Sequence, residues 1–244
     1  ARLYDVCEAS SLRRGPHKRV LVGHMAGRVL FVAVGTGADI EFFPPGLDIT
    51  AIDISWDMLR RAEARRHSYP GALRLVHADA LSLPFSKESF DTVATSCTLC
   101  SVPDPVRALS ELHRVLRPRG RLLMFEHVRS HNALFGLTLD LMTLWTRRLG
   151  TEMNRDTVAN IRKAGFHITR IDSVYLDIIL AIRGTKLQRG ELAVNRAVGS
   201  SSQRKVTKHR LSGLEPIDSH CTMREPIVRR SEAPGCLVNM GVHQ

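Results

Sequence analysis

The chain has 244 residues, enough for one well-buried core, and its 43% hydrophobic content is that of an ordinary globular protein. The longest apolar stretches are strand-sized and broken by charge, so we expect neither a transmembrane helix nor a signal peptide. The formal net charge is +11, with +7 in residues 1–186 and +4 in residues 187–244. This general basic character suits a solvated arginine-rich surface, and it leaves open contact with nucleic acid or an anionic membrane surface.

The cysteines argue against a disulfide framework, because there are five of them at unrelated spacings. Reduced thiols in a cytoplasm fit this pattern better. Cys97 and Cys100 form a C-x-x-C pair, but Cys221 and Cys236 lie in the tail without matching spacing. We therefore expect no metal site and interpret the pair as buried or pocket-lining thiols.

Short apolar runs alternate with helical patterns from Arg28 onward, as is typical of a parallel sheet wrapped by helices. Helices are predicted from Ser55, from Asp104-Pro105 to an end at Pro118 and Gly120, and over residues 154–165 with Asn154 at the start and Gly165 at the stop. The predicted strands are residues 28–34, 48–53, 72–77, 89–96 and 121–127, followed by a hairpin of residues 166–174 and 175–183. The predicted fold is a Rossmann-like, seven-stranded, mostly parallel α/β sheet with helices on both faces and an antiparallel last strand.

Two flanking segments differ in composition from this central region. Residues 1–26 read as a basic helical cap with a break at Gly15-Pro16, and residues 27–186 as the main domain. Residues 187–244 lack apolar periodicity, which predicts a basic, mostly disordered tail.

A candidate cofactor site follows the first three strands. Gly35, Thr36 and Gly37 come directly after the first strand, where backbone can approach a ligand. Asp53 ends the second strand, where a carboxylate can accept both ribose hydroxyls, and Asp79 follows the third, where it can receive an adenine amine. Taken singly, each aspartate could instead cap a helix or turn.

The dinucleotide fingerprint is incomplete. Ile40 stands where G-x-G-x-x-G requires its third glycine for the pyrophosphate. A nicotinamide-dependent oxidoreductase is therefore disfavoured, although Asp53 alone would permit it.

Several segments resemble the small class I methyltransferases similar to the ubiquinone/menaquinone and phosphatidylethanolamine methyltransferases and to the methyltransferase-like thiol methyltransferases. The resemblance covers roughly residues 2–186 and is carried by residues 34–46, 49–59, 79–93, 100–130 and 154–166. It implies S-adenosylmethionine as cofactor, contacted by Gly35, Thr36 and Gly37, with the ribose at Asp53 and Ile54 and the adenine at Asp79 and Ala80. Cys97, after the fourth strand, is predicted to join this set.

The chain departs from the family pattern at two positions before the glycine loop. Phe31 stands where the family usually has an acidic residue, and Ala33 where it has glycine. Losing a charge-assisted hydrogen bond typically weakens binding by about 10–100-fold. A noncatalytic cofactor-fold binding protein is therefore a second hypothesis.

The acceptor side is less specific. His127, at the end of the fifth strand, is a candidate for deprotonating or orienting an acceptor, or is simply hydrogen-bonded there. Cys97-Thr98-Leu99-Cys100 replaces the Asn/Asp-Pro-Pro-aromatic motif of amino-methylating enzymes, which disfavours nucleic acid as substrate. Residues 131–150 are apolar enough to roof a greasy pocket or touch a membrane, although ordinary core packing would also explain them.

These observations predict transfer of a methyl group from S-adenosylmethionine to a small, apolar acceptor, that is, a lipid, quinone or thiol. The expected location is cytoplasmic, with peripheral membrane association left open. The sequence does not define the oligomeric state.

Overall fold

The computed structural model describes residues 15–130, 136, 137, 140, 141, 143, 152, 154–188 and 191. Its elements, in chain order, are α1 (Pro16–Val22), β1 (Arg28–Val32), a 3-10 helix (Ala38–Phe42), β2 (Asp48–Asp53), α2 (Trp56–Arg66), β3 (Ala72–His77), β4 (Phe90–Ser96), α3 (Pro105–Val115), β5 (Leu116–His127), α4 (Thr157–Lys163), β6 (Phe166–Tyr175) and β7 (Ile179–Lys186).

The strands form one seven-stranded sheet in the order β3-β2-β1-β4-β5-β7-β6. β1 to β5 are parallel, while β7 is antiparallel to both β5 and β6. The predicted fold class is confirmed, including the closing hairpin. The strand order reverses between β1 and β4, and this reversal opens a crevice at the carboxyl ends of the strands.

Apolar side chains cover both faces of the sheet, since parallel strands of this kind are buried on both sides. One core includes Leu21 of α1 and Leu59 and Ala62 of α2, and the other includes Leu109 of α3 and Ile161 of α4. The two faces are thus covered by different helices. The carboxyl edge of the sheet is where the candidate cofactor site lies.

Several predicted boundaries were wrong, among them the second hairpin strand, predicted as residues 175–183 and observed as Ile179–Lys186. β1 ends at Val32, because Ala33 has φ 57° and leaves the extended conformation. β5 begins at Leu116, directly after α3, where Pro118 and Gly120 suggested only a helix end. The residue that caps α4 is Asp156, whose carboxylate accepts from Ala159 N at 2.9 Å.

Asn154, the predicted cap of that helix, has a different partner. Its Nδ2 donates to Asp140 Oδ1 at 3.0 Å. Asp156 is the residue immediately before the first helical residue, so its short side chain reaches the amide three positions on. The stop at Gly165 is confirmed, with φ 91° just after the helix.

Several predictions fall outside the described residues: residues 1–14 of the cap, most of the apolar segment 131–150, and nearly all of the tail from residue 187. The domain boundaries therefore remain predictions. No helix among the described residues is long and apolar enough to cross a membrane.

We expect Ala33→Gly to raise the free energy of unfolding by about 0.5–1 kcal/mol. A left-handed backbone costs an L-residue about 1–2 kcal/mol, and the greater freedom of glycine in the unfolded chain offsets part of that gain. Urea unfolding of the purified protein measures the change. Ala108→Gly in α3 is the control and should destabilise by at least about 1 kcal/mol, whereas a loss of stability in Ala33→Gly would contradict the prediction.

Candidate functional site

The glycine loop turns the chain sharply away from β1. Gly35 and Gly37 have φ angles of 58° and 79°, in the left-handed region that favours glycine. A Cβ on Gly37 would lie 2.8 Å from Ile40 Cδ1 and 3.1 Å from Ala62. Gly37 therefore lets the loop pack directly on α2, and Ile40 fills space within the protein.

Asp53 ties the end of β2 to this loop. Its Oδ2 accepts from Gly35 N at 2.8 Å, and its Oδ1 accepts from Ser55 N at 2.9 Å. A carboxylate has about four acceptor sites, so each oxygen can still accept another hydrogen bond. The structure thus brings the predicted Gly35 and Asp53 together, at a side chain that is 8% exposed.

Thr36, between the two glycines, carries a buried hydroxyl. Its Oγ1 has no hydrogen-bond partner among the residues that the structure describes, whereas its main-chain oxygen accepts from Arg65 Nη1. A buried hydroxyl without a partner is unusual in a folded protein. This hydroxyl and the open acceptor positions on Asp53 fit a ligand that brings both donors and acceptors, such as S-adenosylmethionine.

The end of β3 adjoins the same edge. Ala78 N donates to Asp53 O at 3.1 Å, and Asp79 Oδ1 accepts from Leu81 N at 2.9 Å. Asp79 therefore does stabilise a turn, which leaves its second oxygen as the candidate acceptor for an adenine amine. Ala80 beside it is half-buried, and Ile54 is 65% exposed, an apolar side chain on which an aromatic ring could lie.

The turn after β4 carries the two thiols. Cys97 has φ 51° and is half-buried, and its amide donates to Phe125 O at 2.7 Å. Cys100 is buried, and its Sγ lies 3.2 Å from Cys97 O. The two sulfurs are not joined in a disulfide.

Glu126 is the functional candidate that sequence reasoning missed. It is fully buried at the end of β5, and its carboxylate accepts from Thr95 Oγ1 at 2.7 Å and from Thr98 N and Leu99 N at 3.1 Å each. Burial raises its pKa to about 7, against the opposing effect of these hydrogen bonds and of the Lys18 charge. A carboxylate within the otherwise apolar run LLMFEH was the available signal.

His127 follows as the last residue of β5 and is half-buried. Its main-chain oxygen accepts from Thr157 Oγ1 at 3.4 Å, which places it near the start of α4. Next to it, from Val128 onward, a pocket of about 500 Å³ opens between α4 and the β6–β7 hairpin. Its walls combine apolar side chains with arginines: Val128, Val158, Leu180, Arg129, Arg155 and Arg162.

Phe31 lies in the hydrophobic core and offers no exposed surface to a ligand. Its side chain is 1% exposed and packs against Phe43, with ring centroids 4.8 Å apart. On the same side of the sheet, the buried Lys18 of α1 pairs with Asp39 and lies over the Phe125 ring. A buried ion pair outside the glycine loop therefore accompanies the loss of an acid at position 31.

The raised pKa of Glu126 makes the stability of the fold depend on pH. The folded protein retains this proton up to about pH 7, while the unfolded chain loses it near the ordinary value of 4.5. The contribution of this proton to the free energy of unfolding is therefore fully present below pH 4.5. It is lost as the pH rises through 7, and the loss is about 3 kcal/mol in total.

The measurement is urea unfolding of the wild type and of Glu126→Gln at several pH values between 4.5 and 8. The variant lacks this titration, so its stability relative to the wild type should rise by about 3 kcal/mol across that range. A stability difference that does not change with pH would contradict the prediction.

Residues 30–124 match the family described as "Methyltransferase domain". Among curated relatives, a demethylmenaquinone methyltransferase of Renibacterium salmoninarum is 41% identical over 43% of this chain and 44% of its own length. A phosphatidylethanolamine N-methyltransferase of Cereibacter sphaeroides is 35% identical over 50% and 59% of the two chains. A thiol S-methyltransferase of Rattus norvegicus is 28% identical over 59% and 62%.

The aligned part of the chain thus spans about half the length of the curated relatives it matches. Solved structures agree in fold at low identity. A SAM-dependent methyltransferase of Thermotoga maritima superposes with a TM-score of 0.57 at 22% identity, covering 76% of this chain and 95% of the other. A SAM-dependent methyltransferase of Methanosarcina mazei superposes with a TM-score of 0.53 at 20% identity, covering 70% of this chain and 98% of the other.

The predicted resemblance is confirmed, and so is the cofactor class. The sheet order, the glycine loop bonded to Asp53 and the matched segment all lead to one assignment. Residues 30–124 match a methyltransferase domain, and the fold is that of solved SAM-dependent methyltransferases.

Proposed function

We propose that this chain transfers a methyl group from S-adenosylmethionine to a small, apolar acceptor. The observation that carries the proposal is the Asp53 carboxylate, which accepts a hydrogen bond from the glycine loop and keeps an acceptor position on each oxygen for a ligand hydroxyl. Loop and carboxylate stand at the carboxyl edge of the sheet, where open α/β folds bind ligands.

Each part of the cofactor has residues suited to hold it. Asp53 accepts the ribose hydroxyls, and Ile54, Asp79 and Ala80 bound the adenine. The loop of Gly35, Thr36 and Gly37 faces the amino-acid end, where Thr36 Oγ1 supplies a hydrogen bond. When bound, S-adenosylmethionine supplies an electrophilic methyl group on a sulfonium.

The acceptor is assigned to the pocket beside Val128. Apolar walls suit a hydrophobic body, while Arg129, Arg155 and Arg162 can hold a polar end. The names of three relatives cover a quinone, a lipid and a thiol, all consistent with such a pocket. Leu137 and Leu141 are each more than half exposed and offer apolar surface to a membrane.

His127 is proposed to take the acceptor's proton. Methyl transfer depends chiefly on orientation, and a base is needed only when the acceptor must ionise, as for a thiol. In the chain His127 lies between Phe125, whose main-chain oxygen accepts from Cys97 N, and Val128, which lines the pocket.

We expect Asp53→Asn to weaken binding of S-adenosylhomocysteine by about 10–100-fold, because charge-assisted hydrogen bonds to the ribose are lost. Isothermal titration calorimetry measures this change. Asp57→Asn, an exposed carboxylate in the first turn of α2, is the control and should bind like the wild type. Equal affinity of the Asp53 variant would remove Asp53 from the site.

We expect His127→Gln to lower kcat by about 100-fold or more while leaving cofactor affinity unchanged. The assay follows labelled methyl transfer to a small alkyl thiol, a short-chain quinol and phosphatidylethanolamine vesicles. His167→Gln, an exposed histidine on β6, is the matched control.

The second candidate function is a noncatalytic cofactor-binding protein. The observations that favour it are the buried Phe31 and the left-handed Ala33, which depart from the family pattern beside the loop. Cofactor binding with no labelled product from any acceptor would support it over the enzyme.

A further inference from the structure

The buried Glu126 lies near the carboxyl end of β5, at the edge of the sheet that holds the glycine loop. It is the penultimate residue of β5, next to His127, and its carboxylate reaches across to β4 and to the turn that follows β4. The proposed function assigns it no contact with either substrate. Its hydrogen bonds nevertheless bear on the cofactor loop.

Thr98 links this carboxylate to the glycine loop. Its amide donates to Glu126 Oε1 at 3.1 Å, and its Oγ1 donates to Val32 O, also at 3.1 Å. Val32 is the last residue of β1, directly before Ala33 and the loop. One side chain on β5 therefore fixes, through one threonine, the point at which the glycine loop begins.

The same turn is tied to the chain that follows β5. Glu152 N donates to Cys100 O at 2.7 Å, and Arg155 Nη1 donates to Val102 O. Cys97, at the start of the turn, has a left-handed φ of 51° that hydrogen bonds must maintain. The turn thus joins the cofactor side to the acceptor side, with Glu126 at its centre.

We infer that Glu126 is a positioning residue for S-adenosylmethionine, holding the Cys97–Leu99 turn and, through Thr98, the start of the glycine loop in the shape that receives the cofactor. This inference rests on the proposed function.

The chemistry of the three donors requires a carboxylate. Two backbone N–H groups and one hydroxyl converge on Glu126, and only an ionised carboxyl accepts at both oxygens without offering a donor. A glutamine would present an NH₂ group to one of the amides. Among the described residues, Lys18 of α1 is the charged group that acts on this carboxylate.

Below its raised pKa, the fold is more stable with Glu126 protonated than with Glu126 ionised. Burial raises the pKa of Glu126 to about 7, so ionisation costs stability at neutral pH. Ionisation is nevertheless the state that accepts all three donors. Cofactor binding should therefore strengthen with rising pH while the stability of the free protein declines.

The test is calorimetric titration with S-adenosylhomocysteine at pH 6 and pH 8, with thermal unfolding of the same samples. Wild-type affinity should be greater at pH 8. Glu126→Gln should bind at least about 10-fold more weakly at pH 8 and should show no such pH dependence. Its Tm at pH 8 should be no lower than that of the wild type.

Asp91→Asn is the matched control, because that carboxylate also accepts a backbone amide, Arg28 N, but at the opposite edge of the sheet. It should keep the wild-type affinity and pH dependence. Thr98→Val should weaken binding and Thr98→Ser should preserve it, which tests the link even if Glu126→Gln does not fold.

Unchanged affinity in Glu126→Gln and in Thr98→Val would overturn the inference. So would a loss of affinity in Glu126→Gln accompanied by a lower Tm at pH 8, since a general loss of structure would then explain both. If the wild type binds no S-adenosylhomocysteine at either pH, the proposed function fails and the inference fails with it.

Discussion

The hydrogen bond from Gly35 N to Asp53 Oδ2 is the contact on which the site depends, because it joins two parallel strands where their loops diverge. β1 and β2 pair in register up to Val32 and Ile52, Val34 N then donates to Ile52 O at 2.9 Å, and the bond from Gly35 to the Asp53 side chain follows. Asp53 also accepts the Ser55 amide, at the cap of α2. A single carboxylate therefore sets the glycine loop and the following helix relative to each other, and Gly37 allows them to touch.

Two carboxylates at this edge have opposite environments. Asp53 retains 8% exposure and lies at the crevice, while Glu126 is fully enclosed and bonded to protein donors. Desolvation penalises the charged form of an acid, so the enclosed carboxylate has the raised pKa. The difference in burial separates a group available to a ligand from one that shapes the surrounding turn.

Much of this architecture could be predicted from the sequence, because local pattern and tertiary role coincide in it. The bounds of β2 and β3 were predicted correctly. The segments DITAID and ALRLVH are bounded by turn residues, and the two strands pair with each other over their full length. β5 was predicted five residues too short because Pro118 and Gly120 normally interrupt structure. The strand tolerates them where Arg117, Pro118 and Arg119 are exposed and the register with β4 shifts.

Contacts between distant residues were beyond sequence reasoning. Glu126 meets Thr98 and Leu99 only because β4 and β5 are neighbours, and nothing near Glu126 in sequence indicates those amides. Lys18 likewise read as one more positive charge of a basic cap. Its burial depends on Asp39, twenty-one residues away beyond the glycine loop.

The ion pair of Lys18 and Asp39 explains how an apolar residue, Phe31, fits at its position in β1. Removing a carboxylate from β1 would be severe if it left the buried Lys18 without a counter-charge, since an uncompensated buried charge costs about 3–5 kcal/mol. Asp39 supplies the negative charge from the 3-10 helix, so the face that holds Phe31, Phe43 and Phe125 can be apolar around the lysine. Phe31 then packs against Phe43 in the hydrophobic core, while Asp53 stands at the end of the neighbouring strand β2. The buried lysine thus has its counter-charge within the fold without a carboxylate on β1.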